Sequence, residues 1–230
     1  MKKTIILTSA VVLTSFAMAA QAVHAESTKP YDSKATFSLE TEDPTNPDPN
    51  EPVDPEKPVD PGEEGGTGQV GLLTIDAVSQ FNFGSAAISG GETKTNAVAK
   101  DGETLGIQVT DKRGTGAGWN VRAKISNFED KTDDKNIKTL KGATVKIPAG
   151  TFKTSANGDT LNPPTAANAQ GTVIGTTETQ LITAAKEKGK GSWVNAWADQ
   201  VELVIPGGNL VGTYSATITW TLIDTPTGTK

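Results

Sequence analysis

The stretch from Gly212 to Pro226 reads GTYSATITWTLIDTP. From Tyr214 it alternates, with Tyr214, Ala216, Ile218, Trp220 and Leu222 set against Ser215, Thr217, Thr219 and Thr221. Side chains two apart on a strand share a face. One face is therefore apolar and aromatic, and the other carries only hydroxyls, as expected of a strand with one covered and one wetted side. The same two-residue period recurs upstream in TLGIQVTD (Thr104–Asp111), WNVRAKI (Trp119–Ile125), ATVKIP (Ala143–Pro148) and QVELVIP (Gln200–Pro206). VGLLTI (Val70–Ile75) and SQFNF (Ser79–Phe83) are further strand candidates, and clusters of Gly, Pro, Asn and Asp separate the runs. The pattern predicts an all-β fold, an antiparallel β-sandwich or barrel-like domain with long loops. Only TETQLITAAKEKG (Thr177–Gly189) is compatible with a short helix, and a strand fits it nearly as well.

The chain begins differently. MKK is followed by the apolar run TIILTSAVVLTSFAMAA and by Val23-His24-Ala25, with small residues where a signal peptidase reads. Residues 1–25 are expected to be a secretory signal peptide, cut after Ala25, with Ala22 as the alternative site. Residues 26–42 contain KATFSLE (Lys34–Glu40), which alternates around Ala35, Phe37 and Leu39 and predicts one N-terminal strand. Residues 43–67 are acidic and proline-rich, with Pro49, Pro52, Pro55, Pro58 and Pro61 at every third position. Polyproline II has that period, so a stiff spacer or long loop is expected, and some 18 such residues reach roughly 55 Å. Residues 68–230 have the composition of one β domain.

Removal of residues 1–25 takes away His24, Met1 and Met18, and there is no cysteine, so the processed chain has no His, Cys or Met. It cannot use disulfides, a Ser-His or Cys-His nucleophile, or an imidazole or thiolate metal site. Net charge moves from −6 to −8, because Lys2 and Lys3 leave and no acidic residue does. That balance argues against nucleic acid. No second apolar run of membrane length exists, so no transmembrane segment is expected after cleavage. GTGQVG (Gly66–Gly71) matches a glycine pattern for dinucleotides but leads into a strand rather than a helix. EDKTDDK (Glu129–Lys135) lacks the spacing of an EF-hand loop, and KEKGKGS (Lys186–Ser192) lacks that of a phosphate loop. Neither a cofactor nor a metal is expected, and an enzyme is not expected either, since nothing selects a carboxylate pair.

With these stretches in place, the chain resembles the WxL-domain proteins of low-GC Gram-positive bacteria. The resemblance runs through LTIDAVSQFNFG (Leu73–Gly84), DKRGTGAGWNV (Asp111–Val121) and VELVIPGGNLVGTYSATITWTLIDTP (Val201–Pro226). The second motif of the family is present as Trp220-Thr221-Leu222. The first reads Trp119-Asn120-Val121, with Val in place of Leu. The resemblance implies a secreted cell-surface protein held non-covalently to the wall. The implied ligand is peptidoglycan, and the implied partners are other WxL proteins and a membrane-anchored binding partner. The C-terminal DTPTGTK lacks the Leu-Pro-x-Thr-Gly signal for covalent anchoring, so retention is expected to rest on binding. An adhesin for a host or neighbouring-cell protein, or a carbohydrate lectin, is the alternative.

Retention by binding puts weight on the four tryptophans, Trp119, Trp193, Trp197 and Trp220. Two readings stand. Each buried Trp removes roughly 150–250 Å² from water, about 4–6 kcal/mol as an upper figure, and a domain without disulfides needs such anchors. Exposed Trp, in contrast, is a common contact residue. Trp193 and Trp197 lie in the glycine-rich GKGSWVNAWAD (Gly189–Asp199), which reads as a loop able to present them.

Overall fold

A computed structural model describes residues 36–41, 66–99, 104–155, 158–198 and 200–226. The expected signal peptide and most of the proline-rich segment lie outside these residues. The chain divides into two units, residues 1–38 and 39–230, and every strand described lies in the second.

Among the described residues the fold is all-β, with fourteen strands and no helix. The strands are β1 (Leu73–Val78), β2 (Thr93–Asn96), β3 (Gly106–Asp111), β4 (Trp119–Ile125), β5 (Glu129–Asp130), β6 (Lys138–Thr139), β7 (Thr144–Ile147), β8 (Thr151–Thr154), β9 (Thr165–Ala166), β10 (Thr172–Ile174), β11 (Thr179–Ala184), β12 (Gly191–Ala196), β13 (Glu202–Ile205) and β14 (Ile218–Ile223). They form three four-stranded sheets, ordered β1-β3-β12-β8, β10-β7-β13-β2 and β14-β4-β11-β9, and a β5-β6 hairpin. Every strand pair is antiparallel and no sheet closes into a barrel, which leaves the sandwich of the two expected architectures.

The alternating runs hold strands, with β4 matching Trp119–Ile125 residue for residue, but β14 begins at Ile218 rather than Tyr214, and Ser79–Phe83 forms only an isolated bridge at Asn82. Three further expectations need correction. Thr177–Gly189 holds a strand, β11, and no helix. A register shift between Gln180 and Ile182 puts Leu181 and Ile182 side by side in the core, and this bulge imitates helical spacing. Residues 189–199 are no loop over most of their length, because β12 runs through them between β3 and β8. Of the expected N-terminal strand Lys34–Glu40, residues 36–40 are described and form no strand, and Phe37 and Leu39 are 89% and 88% exposed.

The core is one cluster that includes Ile107, Val109, Trp119, Val121, Val145, Ile174, Ile182, Trp197 and Val201. A second, polar centre ties β1 to β3. Asp76 sits at a bulge in β1 and its buried carboxylate accepts from Thr74 Oγ1 (2.6 Å), Thr110 Oγ1 (2.6 Å) and Gln108 Nε2 (2.9 Å). Buried acceptors of this kind are costly to leave unmatched, and here each oxygen has a donor.

Gly189 shows how tightly the turn into β12 is fitted. It has φ of +67°, and a Cβ there would lie 2.5 Å from Ala184 Cβ and 2.9 Å from Trp119 Nε1, which donates to the Gly189 carbonyl at 3.0 Å. Gly189→Ala combines a left-handed backbone cost with overpacking and is expected to lower stability by about 2–4 kcal/mol. Denaturant melts followed by tryptophan fluorescence will read this directly.

Candidate functional site

The four tryptophans fall into two groups. Trp119, Trp193 and Trp197 are buried at 1%, 3% and 1% exposure, and only Trp220 is partly open. The two buried indoles at the β12 turn are satisfied locally. Trp119 Nε1 donates to Gly189 O, and Trp193 Nε1 donates to Lys190 O at 2.9 Å. The expected motif residues lie together on neighbouring strands. β14 pairs with β4 so that Leu222 is opposite Val121 and Trp220 is opposite Ala123. Ala123 leaves room beside Trp220, whose ring stacks on Trp197 with centroids 5.8 Å apart and planes 15° apart. Trp197 in turn meets Phe81 at 5.9 Å, and Phe81 meets Phe83 at 6.3 Å. A row of four aromatics therefore forms, buried at Trp197 and partly open at Trp220, Phe81 and Phe83.

That row borders a groove with a cavity volume of about 1090 Å³. Phe81, Phe83, Tyr214 and Trp220 contribute aromatic surface, and Ser, Thr, Asn and Gln side chains are interspersed along it. Among the described residues that line it there is no Asp, Glu, Lys, Arg or His. The chain as a whole has 21% charged residues, so the described lining of the groove differs in character from the average of the sequence. Trp220 also borders a second, open cleft of about 630 Å³, shared with Leu73, Ile75, Arg113 and the rest of β14 up to Asp224.

Residues of β2, β13 and β14 line part of the groove, and the loops that complete its walls are held by isolated bridges and side chains. On one wall Asn82 bridges Val98, Thr95 Oγ1 donates to Phe83 O at 3.0 Å, and Gly84 N donates to Asn82 Oδ1 at 2.9 Å. On the other, Asn209 clamps Lys141 in both directions and donates to Pro206 O, while Tyr214 Oη donates to Leu210 O at 2.8 Å. Beyond them Asp130 accepts from Thr132 Oγ1 (2.7 Å), Thr132 N (3.0 Å) and Thr213 N (3.3 Å), with Lys138 Nζ at 3.5 Å. Lys138 also reaches Val211 O at 3.2 Å. The apolar side chains of Leu210, Val211 and Ile88 remain exposed on the rim.

At the far end of β14, Arg113 joins three strands. Its Nε and Nη2 bind both oxygens of Asp111 at 2.9 and 2.8 Å, Nη2 reaches Gly118 O, and Nη1 reaches Asp224 O. The guanidinium pKa is pushed up by the Asp111 hydrogen bond, against the opposing effect of burial. Arg113 and the groove-wall segments at 79–89 and 206–214 carry no sign of a site in the sequence, although parts of them read as strand or as family motif. Much of the groove is assembled from loops, and loop side chains carry no period to read.

Among the described residues no group of three or more His, Cys, Asp or Glu could hold a metal, and no helix is long and apolar enough to cross a membrane. Comparison with known families matches residues 26–226 to the WxL domain, described as surface and cell wall-binding. No curated protein and no solved structure was found to match.

The Asp130 contacts carry a pH signature. Hydrogen bonds from the Thr132 hydroxyl and then the Thr132 amide hold its carboxyl down, from the ordinary 3.8 to about 2. A depressed carboxyl stabilises the fold above its unfolded value, and that contribution is lost as pH falls from about 4 toward 2. Asp130→Asn should melt at a lower temperature than wild type at pH 6, and the gap should narrow as pH approaches 2 in a thermal-melt series.

Proposed function

Because the chain belongs to the WxL family of surface, cell wall-binding domains, and is thereby a protein of the cell surface attached to the wall, we propose that its ligand is the glycan strand of peptidoglycan, held in the groove beside Trp220. The observation that carries this reading is the groove's lining. Sugar rings present apolar faces to aromatic side chains and hydroxyls and amides to hydrogen-bonding groups, and neutral glycan needs no charged partner. The peptide stems of the wall are charged, and an uncharged groove with Phe81, Phe83, Tyr214 and Trp220 offers them no counter-ion. Binding is non-catalytic in this reading, and residues 1–25 act as the export signal. Other WxL proteins and a membrane-anchored partner would meet the molecule outside the groove.

The buried indoles have a different part. Trp119, Trp193 and Trp197 hold the sheets, and Trp197 fixes the angle of Trp220 by stacking. Contact with ligand falls to Trp220 and to the exposed rim.

The exported protein is expected to pellet with purified, protein-free sacculi. Leu210→Ser with Val211→Ser removes exposed rim carbons and should reduce pelleting several-fold with an unchanged melting temperature. Trp220→Ala should reduce it further. Failure of wild-type protein to pellet, or equal pelleting of the rim variant, overturns the reading. Capture by a matrix protein in place of sacculi would support an adhesin, and competition by free simple sugars a lectin.

A further inference from the structure

Among the described residues three carboxamides line the groove, Gln80, Asn82 and Asn209, and they differ in what remains unbonded. Asn209 is fully engaged by the fold. Its Oδ1 accepts from Lys141 N, and its Nδ2 donates to Lys141 O and Pro206 O. Asn82 is half engaged. Gly84 N donates to its Oδ1 at 2.9 Å, and Val98 N donates to its main-chain carbonyl, also at 2.9 Å. A backbone N–H can only donate, so the atom it meets is the amide oxygen, and Nδ2 keeps both its protons. Neither Nδ2 of Asn82 nor the carboxamide of Gln80 bonds to any described residue, and both residues are exposed.

These two amides alternate with aromatic rings. Gln80 and Asn82 flank Phe81, Phe83 follows, and the two ring centroids stand 6.3 Å apart. All four residues line the groove. A few polar groups set among apolar lining are what give such a site its selectivity. A carboxamide carries an N–H and a C=O side by side. An acetamido group presents the matching C=O and N–H, together with a methyl group for ring surface. A sugar hydroxyl matches one half of the amide and brings no methyl. A free amino group is protonated at neutral pH and meets no carboxylate among the described lining residues, so it would lose hydration on entry without gaining a counter-ion.

We infer that the groove selects N-acetylated amino sugars, and that Gln80 and Asn82 are the residues that read the acetamido groups. The inference rests on the glycan reading above and narrows it. Wall glycan that carries its acetyl groups is bound, and glycan stripped of them is not. Removing acetyl groups from the wall therefore releases the protein with no change in the protein itself. Asn82 meets the ligand with its amide already oriented by Gly84 N, so little side-chain freedom is lost on binding. Gln80 is the longer and more adaptable of the two.

Three preparations of protein-free sacculi test this: acetyl groups intact, chemically N-deacetylated, and deacetylated then acetylated again. Pelleting of the exported protein is measured in enough salt to screen the attraction between an acidic chain and an amine-bearing wall. The expected result is roughly tenfold weaker binding to deacetylated sacculi, restored by re-acetylation. Gln80→Met keeps the length of the side chain and removes the amide. It should cut pelleting on acetylated sacculi several-fold at an unchanged melting temperature. Asn82→Asp keeps the oxygen that Gly84 N needs and replaces the donor with a carboxylate, so its preference should shift toward the deacetylated wall. Wild-type protein that pellets equally on acetylated and deacetylated sacculi overturns this inference and leaves the glycan reading standing. Selectivity for acetyl groups that both variants retain unaltered takes the role away from these residues and overturns it as well. Pelleting on none of the three preparations overturns the glycan reading, and this inference with it.

Discussion

The pairing of β4 with β14 is the constraint on which the rest of the structure depends. It sets Leu222 against Val121 and Trp220 against Ala123, so two motifs about a hundred residues apart become one patch of sheet. Large and small residues alternate across that seam. The missing bulk at Ala123 lets the Trp220 indole lie down on Trp197, and the buried Trp197 carries the aromatic row to Phe81. If the register slipped by one residue, the hydroxyl face of β14 would turn inward. The aromatic row, the groove wall and the Arg113 tie to Asp224 would all be lost together.

This arrangement reconciles the two readings of a tryptophan motif. The first Trp-x-Val pair is wholly internal, with Trp119 anchored to Gly189 and Val121 fully covered. The second is half internal. Trp220 has one ring face on Trp197, and its remaining edge borders both the groove and the cleft. The replacement of Leu by Val at position 121 costs little in such a place, since a β-branched residue packs well on a central strand. A shared sequence motif here describes a shared packing unit, from which one member also reaches the surface.

The strands with one dry and one wet face could be read from sequence because each residue along them changes environment. That holds for β7 and for the second half of β4, while in β14 the alternation is plainer in residue type than in exposure. Strand β12 escaped because Gly189 and Gly191 announce a turn, and because its neighbours β3 and β8 cover it so that Trp193, Asn195, Ala196 and then Trp197 are all buried. Strand β11 was ambiguous because its bulge moves Leu181 out of step. Phe37 and Leu39 alternate as a strand does, yet residues 36–41 form none and both side chains are exposed. The groove could not be read at all. Its walls depend on Asn82, Thr95, Asn209 and Asp130 holding loops from distant parts of the chain, and only the fold brings those side chains together.

The register between remote strands also governs time. Asn120 pairs with Ile223 and Asp111 with Gly191, so the central hydrogen-bond ladders cannot form until long stretches of chain have been brought back on themselves. Loop closure of this kind is paid before its contacts are gained, and β proteins built this way acquire their shape in milliseconds to seconds rather than microseconds. A newly made copy therefore passes through an interval with its hydrophobic ladders open, and its apolar strands stay uncovered until the remote partners have met.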